Sequence, residues 1–240
     1  MLEKSKGIVL HHFKYGESSI IAQVFTEGFG RRSFLIKGIR GKKTRMKTNL
    51  FQPLSILNFE FYSKPNRELD IVKEVSISTS LNFPYDMNKS SQAMFMAEFL
   101  SRALVQEERD DKMFHFIVNS LEYFDLETKF NPNFHLAFIS KATRFLGILP
   151  DMENESNSQV FNIREGSFDR TIPFHIEFMD TKSSGIFLKL LRLNYDECNK
   201  IKLKREERNS LLKEILKFYS FYHFNMAQLK SVDVLKEVFR

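Results

Sequence analysis

The 240 residues contain no tryptophan and a single cysteine, Cys198. One thiol excludes an internal disulfide and any cysteine-rich zinc knuckle. Such sparse cysteine use fits a reducing compartment, so a cytoplasmic location is expected. No run of 18 apolar residues occurs, which argues against a membrane-spanning helix. Near the N-terminus the apolar stretch is only Ile8 to Leu10, too short for a secretory signal. The hydrophobic content of 42% still allows one large domain or two small ones with their own cores.

Signatures of catalysis are missing as well. There is no phosphate-loop glycine pattern, no Gly-x-Ser-x-Gly elbow and no His-Glu-x-x-His. Gly28-Phe29-Gly30 runs into strand-like residues and reads as a turn. His11 and His12 alternate across a strand and cannot face one site. His115, His135, His175 and His223 lie among aromatic neighbours, the ordinary setting of packed or surface histidines. Cys198 has no recognisable base partner, and Asp110-Asp111 suits a helix N-terminus better than a catalytic pair. The expectation is a non-enzymatic protein with no cofactor, no metal and no small-molecule substrate. A hydrolase or nuclease in the second half would need clustered carboxylates or histidines.

A further absence is of acid. Between Glu27 and Glu60 there is no Asp or Glu, while Arg31, Arg32, Lys37, Arg40, Lys42, Lys43, Arg45 and Lys47 fall in that interval. The chain's net charge is +6, so everything outside these eight cations sums to −2. A solvated basic loop is the ordinary reading of such a run. Its single sign and its place between strands favour a polyanion partner instead.

Two periodicities divide the chain. Up to residue 80, short alternating segments are separated by turn signals. Strands are expected over Gly7–Tyr15, Ser18–Thr26, Arg31–Ile39, Leu54–Tyr62 and Leu69–Ile77. In the first, Ile8 and Leu10 lie on one face and Val9, His11, Phe13 and Tyr15 on the other. The apolar phase of the fourth slips between Ile56 and Leu57, which predicts a bulge. Five short strands suit an OB-fold barrel, which binds single strands through a basic groove with aromatic stacking platforms. Phe13, Tyr15, Phe29, Phe34 and Tyr62 are the candidate platforms, with Tyr15 and Phe29 best placed at a strand end and in a turn.

From Leu81 the period becomes helical. Helices are expected over Ser90–Val105, after Asp110-Asp111 with Phe114, Ile117, Leu121 and Phe124 inward, and from Asn131-Pro132 to Pro150. The stripe of the last is Phe134, Phe138, Ala142, Phe145 and Leu149. Later come a helix with Leu211, Ile215, Phe218 and Tyr222 on one face and a short one over Leu229–Phe239. Val160 to Ile172, turning at Glu165-Gly166, predicts a β-hairpin. The fold class is therefore α+β and multidomain: an OB-fold barrel over 1–80, then an all-helical domain over 81–240 with a hairpin-like insertion.

An ordered set of short motifs resembles the RecO family of DNA repair proteins. It comprises Gly7-Ile8-Val9-Leu10, Tyr15-Gly16-Glu17-Ser18-Ser19, Phe25-Thr26-Glu27 with Gly30, and Lys37-Gly38-Ile39-Arg40. Leu50-Phe51-Gln52-Pro53-Leu54 and Leu229-Lys230-Ser231 with Leu235 complete it. The resemblance implies an OB-fold followed by a helical domain. It further implies binding of single- and double-stranded DNA, strand annealing, and work with RecR to load RecA onto strands coated by single-strand-binding protein, near the nucleoid. Many relatives carry a four-cysteine zinc site near Val160 to Leu190, and this chain has no cysteine there. The family docks the tail of the single-strand-binding protein on its helical domain, for which Lys141 and Arg144 are the candidates here. An OB-fold RNA-binding factor in translation or RNA metabolism is the alternative from composition and barrel alone.

Overall fold

The computed structural model describes residues 1–39, 48–63, 69–105, 108–152, 160–226 and 228–238. The chain forms two compact units, Met1–Leu126 and Glu127–Arg240.

The first unit is built on strands β1 (Leu2–Tyr15), β2 (Ser19–Thr26), β3 (Gly30–Ile36), β4 (Ile56–Tyr62) and β5 (Asp70–Thr79). They close into a barrel of order β1-β2-β3-β5-β4. All pairings are antiparallel except β3 with β5, which meet in parallel through Phe34 opposite Asp70 and Leu35 opposite Ile71. Five strands in this order make an OB-fold. Alternation turns Ile20, Ala22, Val24, Phe34, Ile36 and Phe59 inward, where Phe34 stacks on Phe59 at 4.9 Å and leans on Phe61 at 4.8 Å. At Gly7 a Cβ would sit 2.5 Å from Val24 Cγ1 and 3.0 Å from the Phe59 ring, so only glycine fits between them.

β1 differs from expectation in two ways. It starts at Leu2 because Leu2–Lys6, poor strand formers by composition, are held by pairing with β4. Its register shifts between Val9 and His11, so both faces of the middle become buried. Val9 enters the barrel core, while Ile8 and Leu10 are buried outside that cluster, on the strand that α1 (Met87–Ala103) packs against. The bulge expected between Ile56 and Leu57 is present, and a second register shift follows between Glu60 and Phe61. Asp86 caps α1 by accepting from the Asn88 and Lys89 amides. In α2 (Asp111–Leu126), Phe114, Ile117, Leu121 and Phe124 are buried as the spacing required. Phe114 meets Phe25 of β2 at 6.1 Å.

The second unit contains α3 (Phe134–Phe145), β6 (Val160–Asn162), β7 (Ser167–Asp169), β8 (Phe178–Met179), α4 (Thr181–Arg192), α5 (Tyr195–Asn199), α6 (Arg205–Phe221) and α7 (Ser231–Val238). β6 and β7 form the expected hairpin, and β8 adds to its other side in the order β7-β6-β8. α3 stops four residues short of Leu149. Gly147 takes a left-handed φ of 73° and the Ile148 amide bonds back to Thr143, the geometry that terminates a helix. Leu149 is accordingly 41% exposed, off the buried stripe. Sequence periodicity overlooked α4, whose Ser183, Ser184 and Gly185 dilute the apolar pattern. Its cap was legible: Asp180 accepts from the Ser183 amide.

Among the described residues no helix is long and apolar enough to cross a membrane.

Candidate nucleic-acid interface

One end of the barrel gathers several sequence-predicted residues. Tyr15 closes β1 opposite Ser19, and Ile20 of β2 lies opposite Ile36 of β3. The first residue beyond β3, exposed Lys37, therefore sits beside the β1–β2 turn. The Ile39 amide donates to the Ser18 carbonyl at 2.8 Å and ties the two together. Tyr15 is 52% and Phe13 47% exposed. They are two residues apart on one strand face, and the Phe13 ring is stacked with His11 at 6.4 Å. Arg40, Lys42, Lys43, Arg45 and Lys47 lie outside the described residues. Of the described residues on either side of that run, Ile39 before it and Phe51 after it are both buried in the barrel core. His12 Nδ1 lies 2.7 Å from the Phe51 carbonyl oxygen; that oxygen only accepts, so Nδ1 carries the proton.

The other aromatic candidates divide. Phe34 is fully buried inside the barrel and cannot meet a base, since alternation assigns it to the core face. Phe29 is partly buried and packs edge-on against Phe61 at 5.5 Å. Tyr62 is exposed, paired with Leu2 of β1 on one side and on the other with Ile71 of β5, itself opposite Leu35 of β3.

Arg31 and Arg32 have protein partners that counting charge did not foresee. The Arg31 Nη1 donates to the Ser101 and Leu104 carbonyls at 2.8 and 2.9 Å, satisfying the C-terminal end of α1. Arg32 pairs with Asp70, which is 2% exposed, at 2.9 Å and donates to Ser63 Oγ. The two guanidinium groups hold the scaffold together, and among the described cations of the interval only Lys37 is exposed. Beside Arg31, burial lowers the pKa of His11, and the Arg31 charge adds to the effect.

In the second unit Lys141 is half-buried. Its ammonium donates to the Leu193 carbonyl and lies over the Tyr195 ring at 5.5 Å, and burial pulls its pKa down. Arg144, one turn on, is exposed. Around Val160 to Leu190, where the family resemblance raised the question of zinc, the described residues form an aromatic core. The hairpin is packed by Phe161, whose ring lies 5.0 Å from Phe168, 4.9 Å from Phe187 and 5.1 Å from Phe218. Among the described residues no three His, Cys, Asp or Glu side chains converge on a metal position. Cys198 is buried and its thiol pKa is raised by burial, so it is a poor nucleophile. Sequence reasoning passed over Lys200, Lys202 and Lys204, whose signal was a second acid-free cationic stretch.

The family model for the Recombination protein O N terminal region matches residues 1–81, and that for the Recombination protein O C terminal region matches 84–232. The chain belongs to the RecO family. It is 37% identical to the DNA repair protein RecO of Bacteroides fragilis over 241 residues, covering all of both chains. The DNA repair protein RecO of Phocaeicola vulgatus is also 37% identical over 240 residues, again with full coverage of both. That of Flavobacterium psychrophilum is 35% identical over 239 residues, 98% of each chain. Within this family the barrel is the N-terminal element, and the end carrying Tyr15 and Lys37 belongs to it.

Proposed function

We propose that the chain is a DNA-binding recombination mediator of DNA repair, a binding protein without catalytic turnover that works in the cytoplasm at the nucleoid. It binds and anneals DNA strands and helps load recombinase onto strands coated by single-strand-binding protein. The observation that carries this reading is the barrel end where the Ile39–Ser18 tether sets Lys37 beside the strand end that carries exposed Tyr15 and Phe13. Cations for phosphates beside rings for bases are what a single-strand surface requires. In this reading Lys37, Arg40, Lys42, Lys43, Arg45 and Lys47 meet phosphates and Tyr15 stacks on a base, while Arg31 and Arg32 keep the strand that carries them in place. The barrel over 1–80 is then the principal nucleic-acid module, and 81–240 supplies partner docking and further DNA contacts. Exposed Arg144 is a cation for the acidic tail of the single-strand-binding protein, and RecR is the second protein partner. Membership of a family whose relatives are named for DNA repair favours DNA over RNA as the polyanion.

The test is annealing of complementary strands precoated with the cognate single-strand-binding protein. Acceleration by the chain, with DNA outcompeting RNA of the same sequence, is expected. Absence of annealing together with preferential RNA binding overturns the reading.

A further inference from the structure

A second single-signed stretch, Lys200 to Arg205, holds four cations in six residues. It joins α5 to α6. Lys200, Lys202 and Lys204 are exposed, whereas Ile201 and Leu203 between them are partly buried, so three ammonium groups face outward in a row. Buried Asn133 pins the segment from beneath: its Nδ2 donates to the Ile201 carbonyl at 2.6 Å, and its Oδ1 accepts from Arg208 Nε at 3.0 Å. Arg208 Nη2 donates to the Leu203 carbonyl at 3.1 Å.

Arg208 is only 9% exposed, and among the described residues it meets no carboxylate. Its acceptors are neutral, and burying a guanidinium without a counter-charge is unfavourable. Arg208 lines a cleft of about 580 Å³ with Asn199, Lys202 and Lys204. Lys182 and Glu207 also line it, but they are ion-paired with each other, so the lining carboxylate is already neutralised. What remains is a concave site with three uncompensated cations, one of them buried and oriented by a fixed amide.

We infer that this cleft binds a phosphate of a nucleic-acid strand, with Arg208 as its buried anchor and Lys202 and Lys204 at its rim. A guanidinium suits phosphate because its fork can donate two parallel bonds. The row of alternate lysines suits a polymer with regularly repeated charge. An acidic peptide has no regular repeat of charge to match the alternate lysines, and it is the competing occupant that the test separates. The site lies wholly within 127–240, so it adds a second phosphate-binding surface to the one proposed on the barrel. Annealing brings two strands together on one protein, and two separate surfaces supply a place for each.

The test is the full chain carrying Lys202→Gln and Lys204→Gln, both exposed positions whose change leaves the core untouched. Binding of a fluorescent oligothymidylate is followed across a salt series, in the natural background and with Lys42, Lys43, Arg45 and Lys47 changed to Gln. Losing two phosphate contacts flattens the log–log salt slope by about 1.4 and weakens binding about 25-fold near ~0.1 M salt. That loss is expected in both backgrounds. Unchanged affinity and slope in both overturn the inference, as does loss of acidic-peptide binding with DNA binding intact. If the lysine pair matters while the barrel substitutions alone change nothing, the cleft stands and the barrel surface falls.

Discussion

The backbone amide of Ile39 donates to the carbonyl of Ser18 at 2.8 Å, which stitches the exit of β3 to the turn between β1 and β2. Ile39 is itself buried in the barrel core, as is Phe51 beyond the basic run. The described residues that flank the basic run are thus both core residues, Ile39 tied to the β1–β2 turn and Phe51 to His12 of β1.

Tyr15 and Phe34 make opposite predictions. Tyr15→Ala should weaken single-strand binding by about 1–3 kcal/mol, the range of one base–aromatic stack, and leave thermal stability unchanged. Phe34→Ala should instead destabilise the barrel by about 3–5 kcal/mol, because it empties space between Phe59 and Phe61. Fluorescence titration with oligonucleotides and urea unfolding measure the two effects. Equal stability loss from both substitutions contradicts the assignment.

Arg32 should behave as a structural residue. Removing it leaves Asp70 buried without its cation, and breaking such a pair costs about 3–5 kcal/mol. Arg32→Ala should lower the urea midpoint strongly, while the salt slope of DNA binding in the folded protein stays near the natural value. A normal urea midpoint with a flattened slope would place Arg32 on the DNA surface instead.

Much of this was legible in the sequence because barrel strands alternate with period two and their turns carry glycine. The slip between Ile56 and Leu57 even located a bulge. Charge counting was less informative, since Arg31 and Arg32 look like Lys37 until their acceptors are known. Those acceptors, the carbonyls of Ser101 and Leu104 and the carboxylate of Asp70, are far away in the chain. Phe29 and Phe34 posed the same difficulty, because a ring's exposure depends on which side of a closed barrel it occupies. α4 was hidden by its serines and glycine, and Lys200 to Lys204 by falling in a connection between helices.

The hairpin of the second unit should need no metal. Phe187→Ala should cost about 3–5 kcal/mol by opening the cluster around Phe161, whereas chelator should not change the unfolding curve. Stoichiometric zinc in metal analysis, with unfolding on chelation, would contradict the packing argument.

His135 gives a pH signature. It is fully buried, and burial, aided by the Arg208 charge, lowers its pKa from 6.5 to about 3. Between those values the unfolded chain binds a proton that the folded chain refuses, so stability falls as pH drops from 6.5 towards 3. The slope of this contribution approaches ~1.4 kcal/mol per pH unit. His135→Gln should remove that part of the acid destabilisation relative to the natural chain. Parallel stability–pH curves for the two proteins would show that His135 titrates normally.

The most direct measurement is the salt dependence of DNA binding by the chain with Lys42, Lys43, Arg45 and Lys47 changed to Glu. If these four cations each neutralise one phosphate, the log–log slope should flatten by about 3 on single strands and about 3.5 on duplex. The loss should be nearly the same for every sequence, because phosphate contacts carry no base information. Unfolding is measured alongside, so that a loss of binding is read only in a folded variant. A folded variant that keeps natural affinity and an unchanged slope would contradict the proposal that the barrel's basic run is the DNA surface.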